Sequence, residues 1–233
     1  PRSQQQAIGP SEVGAPCLRR LGFRLSGLPG RNRGGASWRP TVGTAVHSWL
    51  ADTFDTAEWL PTNEPTQVGA YVLSRWATEV RVMVGSIAGQ EIWGSCDLYD
   101  RTTATVIDWK VVGAGTLKTV RANGPSGTYR TQVHLYGRGL RNEGLPVERV
   151  AIMFLPSAGE LADHVYWSEP YAETVAAQAL RRAEGVKLAL AAAGPEVVIP
   201  ALSTSDHFCG GCPWFSFLAQ PTSHKDCPGH SAV

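Results

Sequence analysis

Asp108 and Lys110 stand two residues apart in ATVIDWKVV, and Asp97 precedes them in GSCDLYD. Residues two apart on a strand point to the same face. Antiparallel pairing across the turn DRTT would bring Asp97 beside Asp108. Two carboxylates and an ammonium on one face of an otherwise apolar sheet are costly unless they are paired or bind metal. All-oxygen ligands favour Mg²⁺ or Mn²⁺. A metal beside a lysine suits phosphodiester hydrolysis: the metal activates water and bridges the phosphate, while the lysine orients the water or neutralises the developing charge. Taken alone, D-x-K also reads as a structural ion pair on an edge strand.

A second constellation lies at the end of the chain. Cys209 and Cys212 form a C-x2-C pair, and Cys227 follows after fourteen intervening residues. CPGH places His230 three positions after Cys227, so by spacing alone Cys209, Cys212, Cys227 and His230 form a complete tetrahedral zinc set. Cys17 and Cys96 are the other two cysteines. An odd cysteine count, with no apolar leader in PRSQQQAIGP, argues against a secreted disulfide scaffold and for reduced, cytoplasmic thiols available as ligands. The absence of an initiating Met suggests processing or trimming.

These side chains need a scaffold. TVGTAVHSWLADTF opens on a capping Thr and repeats Val42, Val46, Trp49 and Leu50 at helical spacing. A second helix is expected around 66–78. EVRVMVGSIAG and QEIWGSCDLYD alternate as strands do, with Gly-containing turns between them. ATVIDWKVV reads as a third, central strand. GTYRTQVHLYGRGLRNEG is a helix with Gly near its end, VERVAIMFLP a buried strand, and YAETVAAQALRRAEGVKLALAAAG a long helix ended by Gly-Pro. Residues 25–40 read as a flexible basic loop. The expected class is α/β: a central mixed sheet flanked by helices.

The 233 residues suit one domain, and no run of eighteen apolar residues spans a membrane. A net charge of +1 excludes an argument from bulk polyanion attraction. The charge is blocky, however. Residues 1–40 carry seven Arg against one Glu, 41–100 eight acids against two Arg, and 101–147 seven basic residues against two acids. Basic blocks therefore flank an acidic one that could hold metal. No G-x4-GK[ST] phosphate loop occurs, which argues against a helicase.

Taken in order, GTAVHSWL, GSCDLYD, VIDWK and TYRTQVHLYGRGL resemble the motifs of the PD-(D/E)XK nuclease superfamily, and within it the RecB-like exonucleases. The resemblance implies a restriction-endonuclease-like core over 41–200 of a single nuclease domain, 1–233. It implies that His47, Asp97, Asp108 and the Trp109 backbone carbonyl bind the divalent metal. Asp97, Asp108, Lys110, Gln132 and Tyr136 would be the catalytic set, the last two being the Q-x3-Y pair on one helix face. Lys118, Arg121 and Arg130 would hold DNA phosphates. The AddB-type and CRISPR-adaptation nucleases of this superfamily carry an iron–sulfur cluster on one N-terminal and three C-terminal cysteines. Cys17, Cys209, Cys212 and Cys227 match that arrangement, and 11–24 with 203–230 would join the two ends of the chain at a 4Fe-4S cluster. The last spacing is longer than is usual in those proteins. The implied activity is a Mg²⁺- or Mn²⁺-dependent DNA exonuclease in recombination, repair or phage DNA processing, acting on single strands or free ends. Alternatives are a nuclease that trims prespacers with a CRISPR-adaptation partner, and a non-catalytic nucleic-acid-binding module with structural zinc.

Overall fold

The computed structural model describes residues 8–32, 38–55, 66–68, 71–205 and 209–230. Helices α1 (Pro10–Val13), α2 (Leu18–Ser26) and α3 (Trp38–Asp55) come first. Among the described residues strands β1 (Thr66–Val68) and β2 (Tyr71–Leu73) pair only with each other. Then follow β3 (Trp76–Ile87), β4 (Gln90–Asp100), β5 (Thr105–Val112), α4 (Ala114–Asn123), α5 (Gly127–Asn142), β6 (Arg149–Pro156), β7 (Val165–Pro170) and α6 (Glu173–Ala201). The main sheet runs β3-β4-β5-β6-β7 in space. Only the β5–β6 pair is parallel, so the sheet is mixed and flanked by helices, as expected.

Alternation builds this core. Val82 and Val84 on β3, Ile92 on β4, Val106 on β5 and Val150, Ile152 and Phe154 on β6 are fully buried. Val133 and Leu140 of α5 and Ala176 and Ala183 of α6 pack into the same cluster. β5 and β6 read as near-continuous apolar runs because they are interior strands.

Two expectations need correction. The helix expected around 66–78 is absent: β1, β2 and the start of β3 take up that stretch, with Ser74 and Arg75 linking β2 to β3 and residues 69 and 70 outside the described residues. Its β-branched and aromatic residues (Val68, Tyr71, Val72, Trp76) suit strands, and a short apolar run does not discriminate the two periods. The long helix is broken at Gly194-Pro195, where its end was expected. Gly194 takes φ 76°, the axis breaks, and Pro195 starts a further helical stretch to Ala201. The basic loop is shorter than 25–40: α2 runs to Ser26, closed by left-handed Gly27, and α3 begins at Trp38, with residues 33–37 outside the described set. Helix α4 and strand β7 were not anticipated. Among the described residues no helix is long and apolar enough to cross a membrane.

The two ends of the chain are knitted together. Buried Arg19 donates to the carbonyls of Pro221 (2.5 Å) and Ser223 (2.9 Å). Trp214 Nε1 donates to Leu28 O at 3.0 Å, and its ring stacks on Phe23 with centroids 5.4 Å apart. Asn32 Nδ2 donates to the carbonyls of Cys212 and Phe215. A parallel bridge between Phe215 and Cys227 folds the tail onto itself.

Candidate active site

The site sits where the sheet forks. β4 and β5 pair only through Leu98–Asp100 and Thr105–Ile107. Before Leu98, β4 stays with β3, and after Ile107, β5 stays with β6. Asp97 and Asp108 are the first residues beyond the last pair, one on each prong. The fork strips Trp109 of a backbone partner on the β4 side, and Asp97 Oδ2 takes over by accepting its N–H at 2.8 Å. A carboxylate thus replaces a ladder carbonyl, which meets the requirement that a buried N–H be paired.

Around the fork a cleft of about 500 Å³ opens. Its floor is Asp97, Asp108 and Lys110, one wall is His47 of α3 with Glu79 and Arg81 of β3, and the other is α1 with Gln132 and Tyr136 of α5. Asp97 is 6% exposed and Asp108 1%. Lys110 Nζ lies 2.5 Å from Asp108 Oδ2 and 5.3 Å from the Tyr129 ring centroid. His47 Nδ1 lies 3.3 Å from Asp97 Oδ1 without hydrogen-bond geometry, and its ring meets Trp109 edge-on at 5.9 Å. Gln132 Nε2 donates to the Tyr136 hydroxyl at 2.7 Å. Both project from α5 into the cleft because residues four apart share a helix face. Gly94 permits this packing: a Cβ there would lie 2.6 Å from the Tyr136 ring and 2.7 Å from Pro10.

The electrostatics follow from burial. Desolvation pushes the Asp108 carboxyl up to about 6, with the Asp97 charge adding to it and Lys110 and His47 pulling it down. Burial alone would lower Lys110, but the Asp108 carboxylate outweighs it and holds the ammonium above its ordinary value. Burial also opposes the charged form of His47, and the Asp97 and Asp108 carboxylates overcome it, so His47 is raised. The Tyr136 hydroxyl is pushed well up, first by burial and then by the Asp108 charge.

One residue escaped the sequence reading. Glu79 of β3 brings a carboxylate oxygen, His47 a ring nitrogen and Asp97 a carboxylate oxygen within 4.8 Å of one another. Glu79 has φ 46°, a left-handed conformation rare for a non-Gly residue, and Ser95 Oγ donates to its Oε2 at 2.8 Å. Nothing in E-V-R-V marks that strain, and only the strand register opposite Asp97 would have pointed to it.

The basic residues expected to hold phosphates lie elsewhere. None of Lys118, Arg121 and Arg130 lines the cleft. Lys118 is exposed on α4, Arg121 donates to Asp163 O at 2.5 Å, and Arg130 ion-pairs with Glu169 at 2.5 Å.

A smaller cavity is lined by Cys17, Cys209, Cys212 and Cys227, with Arg20, Phe23 and Phe215. His230 is not part of its lining and faces the Thr204 hydroxyl at 3.4 Å. Burial, and then the neighbouring thiols, raise Cys212 and Cys227 against the opposing charges of Arg20 and Arg19. Among the described residues no three of the four sulfurs come within 4.8 Å of one another. Cys96 is fully buried in the core, with Sγ on Leu98 O.

The mixed sheet flanked by helices is a fold shared with a solved exonuclease. An alkaline exonuclease, LHK-Exo, from Laribacter hongkongensis is 13% identical, with a TM-score of 0.51 over 81% of this chain and 90% of that one. The same enzyme in complex with dAMP gives 0.51 at 13% identity, over 80% and 89%. A phage-related exonuclease from Haemophilus somnus 129PT gives 0.45 at 12% identity, over 82% and 89%. No family model matches the chain, and no curated protein matches it.

Proposed function

We propose that this chain is a divalent-cation-dependent DNA exonuclease of the PD-(D/E)XK type, acting in recombination, repair or phage DNA processing. The observation that carries the reading is the convergence of Asp97, Asp108 and Lys110 on one cleft floor at the sheet fork. The shared fold with an alkaline exonuclease whose structure was solved with dAMP supports it.

The donors fit a hard cation. Asp97 and Asp108 offer carboxylates, Glu79 a third, and His47 a buried ring nitrogen with no hydrogen-bond partner among the described residues. Mg²⁺ or Mn²⁺ held there supplies Lewis-acid polarisation of the phosphate and an acidified water. The chain does the rest. Lys110, kept protonated by Asp108, neutralises charge building on the phosphate. Tyr136, too weak an acid to ionise in this setting, acts as a hydrogen-bond donor whose hydroxyl is oriented by Gln132. The Trp109 N–H fixes the Asp97 carboxylate so that its second oxygen faces the cleft.

We assign Cys17, Cys209, Cys212 and Cys227 to a 4Fe-4S cluster that closes segments 11–24 and 203–230 onto the 41–200 core. One observation supports four cysteines over the Cys₃His zinc set: all four line one cavity, and His230 lies off it. Anaerobically purified protein is expected to be brown, with about four iron and four sulfide per chain. A colourless protein with one zinc would overturn this assignment.

The nuclease test uses 5′- and 3′-end-labelled DNA, single- and double-stranded, with Mg²⁺, Mn²⁺ or EDTA. Release of short products from an end is expected with either metal, and loss of release with EDTA or Asp108→Asn. Intact DNA under every metal condition would sink the reading.

A further inference from the structure

Along β4 the cleft face continues outward from Asp97 through Ser95 to Trp93. Four residues at a ~3.4 Å rise put Trp93 about 14 Å from Asp97. That is the length of about four stacked nucleotides at about 3.4 Å each. Trp93 is 37% exposed, and its Nε1 donates to Glu91 at 3.0 Å, which fixes the ring. On β3, Arg81 pairs with Ser95 and lays its guanidinium over the Trp93 ring, 4.9 Å from the centroid. Arg81 makes no ion pair among the described residues, whereas the cleft wall beside it is acidic at Glu79.

From this we infer that Trp93 and Arg81 form the strand-binding platform of the cleft: Trp93 stacks on one nucleobase within about four nucleotides of the scissile phosphate, and Arg81 contacts an intervening phosphate. The inference rests on the nuclease reading and adds to it the element that seats the strand. Fixed aromatic rings bind single strands without sequence preference because every base has a π-face. An arginine already stacked on that ring is held in place and keeps its N–H edge for phosphate oxygens. The platform also answers where the strand is held, since Lys118, Arg121 and Arg130 lie off the cleft.

The experiment measures affinity for a fluorescent 12-nucleotide single strand in the Asp108→Asn background, which removes cleavage. Trp93→Leu is expected to weaken binding about five- to 150-fold, the equivalent of one stacked base, while Trp93→Tyr stays within about threefold. Arg81→Gln is expected to lower the log–log salt slope by about 0.7, the value of one single-strand phosphate. An abasic nucleotide moved along the oligonucleotide should weaken binding at one position with Trp93 present and cost nothing there in Trp93→Leu. Unchanged binding in Trp93→Leu, or an abasic penalty identical in both proteins, would leave the ring a surface cation–π pair and overturn the inference. Wild-type cleavage assayed in parallel separates the two readings: cutting with no effect at Trp93 defeats the platform alone, and neither binding nor cutting defeats both.

Discussion

Lys110→Met tests the ion pair at the fork. Methionine keeps the apolar stem and removes the ammonium that lies 2.5 Å from Asp108 Oδ2. With Lys110 present, Asp108 titrates at about 6, already raised by burial. Breaking a buried pair by removing one partner costs about 3–5 kcal/mol. At 1.36 kcal/mol per pH unit this moves Asp108 up by about 2–4 units, to about 8 or beyond. A carboxyl raised in the folded state binds its proton more tightly there than in the unfolded chain. Its contribution to stability is therefore complete below the unfolded value near 4 and is lost as pH rises through the folded value. In the wild-type metal-free protein that loss falls between about pH 4 and 6, and in the variant it extends to about pH 8.

Urea melts in EDTA at pH 5.5 and pH 8 separate the cases. Lys110→Met should match or exceed the wild type at pH 5.5 and be less stable by about 3 kcal/mol at pH 8. Cleavage should be lost at both. Metal affinity at pH 8 should fall by about two- to 100-fold, because a single proton competes, and the deficit should shrink at pH 9. An identical stability deficit at both pH values would refute the claim that Lys110 keeps Asp108 ionised. Wild-type cleavage by this variant would end the PD-(D/E)XK reading.

Asp97→Ala should abolish cleavage and Mn²⁺ binding and also cost about 1–3 kcal/mol of stability, because the buried Trp109 N–H loses its acceptor; a variant of unchanged melting temperature would contradict the fork geometry. Glu79→Gln should weaken Mn²⁺ binding, read by calorimetry, with no loss of fold, and unaltered affinity would remove Glu79 from the ligand set. In wild-type protein Mn²⁺ affinity should decline about tenfold per pH unit below pH 6 as Asp108 takes up a proton, with protonation of His47 steepening the decline, and a flat profile from pH 5 to 8 would show that neither group ligates. Tyr136→Phe should keep the fold and reduce turnover, and an unchanged rate would leave Tyr136 as packing against Gly94. Cys17→Ala should lose the cluster and open the tail to protease, removing a closure of about 190 residues worth about 5 kcal/mol, and a variant with no iron but a wild-type protease pattern would refute the staple.

Legibility in the sequence followed how local each signal is. D-x-K and Q-x3-Y depend on spacing within one strand or one helix, and both pairs reach the cleft together. Asp97 needed only a short turn to be placed opposite Asp108, and the register bears that out up to Leu98 and Ile107. The fork itself was not legible, because it depends on β3 and β6 each holding one prong. Glu79 followed from neither spacing nor periodicity: its role arises from a left-handed backbone and from α3 swinging His47 over the sheet. The basic block at 101–147 puts no arginine in the cleft, for a related reason. Charge along the chain does not show which arginines are already paired, and Glu169 on the unanticipated β7 takes Arg130.

The fork and the cysteines are joined through the first helix. Gly9, Pro10 and Ser11 line the cleft, and Cys17 follows six residues after Ser11. Yet α1 does not depend on the cysteines alone. Arg182 of α6 donates to the carbonyls of Val13 (2.8 Å) and Ala15 (2.6 Å), and Gly14 sits so close to α5 that a Cβ there would lie 2.9 Å from Thr128 O. The tail has ties of its own, among them the Arg31–Asp226 ion pair and the Trp214 bond to Leu28 O. It also rests on Arg19, Asn32 and the Phe23–Trp214 stack, and its connection to α6 passes through residues 203–205. Loss of the proposed cysteine centre would act on the tail and on α2, which Cys17 caps, before reaching the cleft through α1. On the proposed assignment a cluster there would hold the chain's ends and the chemistry would stay at the fork, where a carboxylate stands in for a missing strand and lines the cleft.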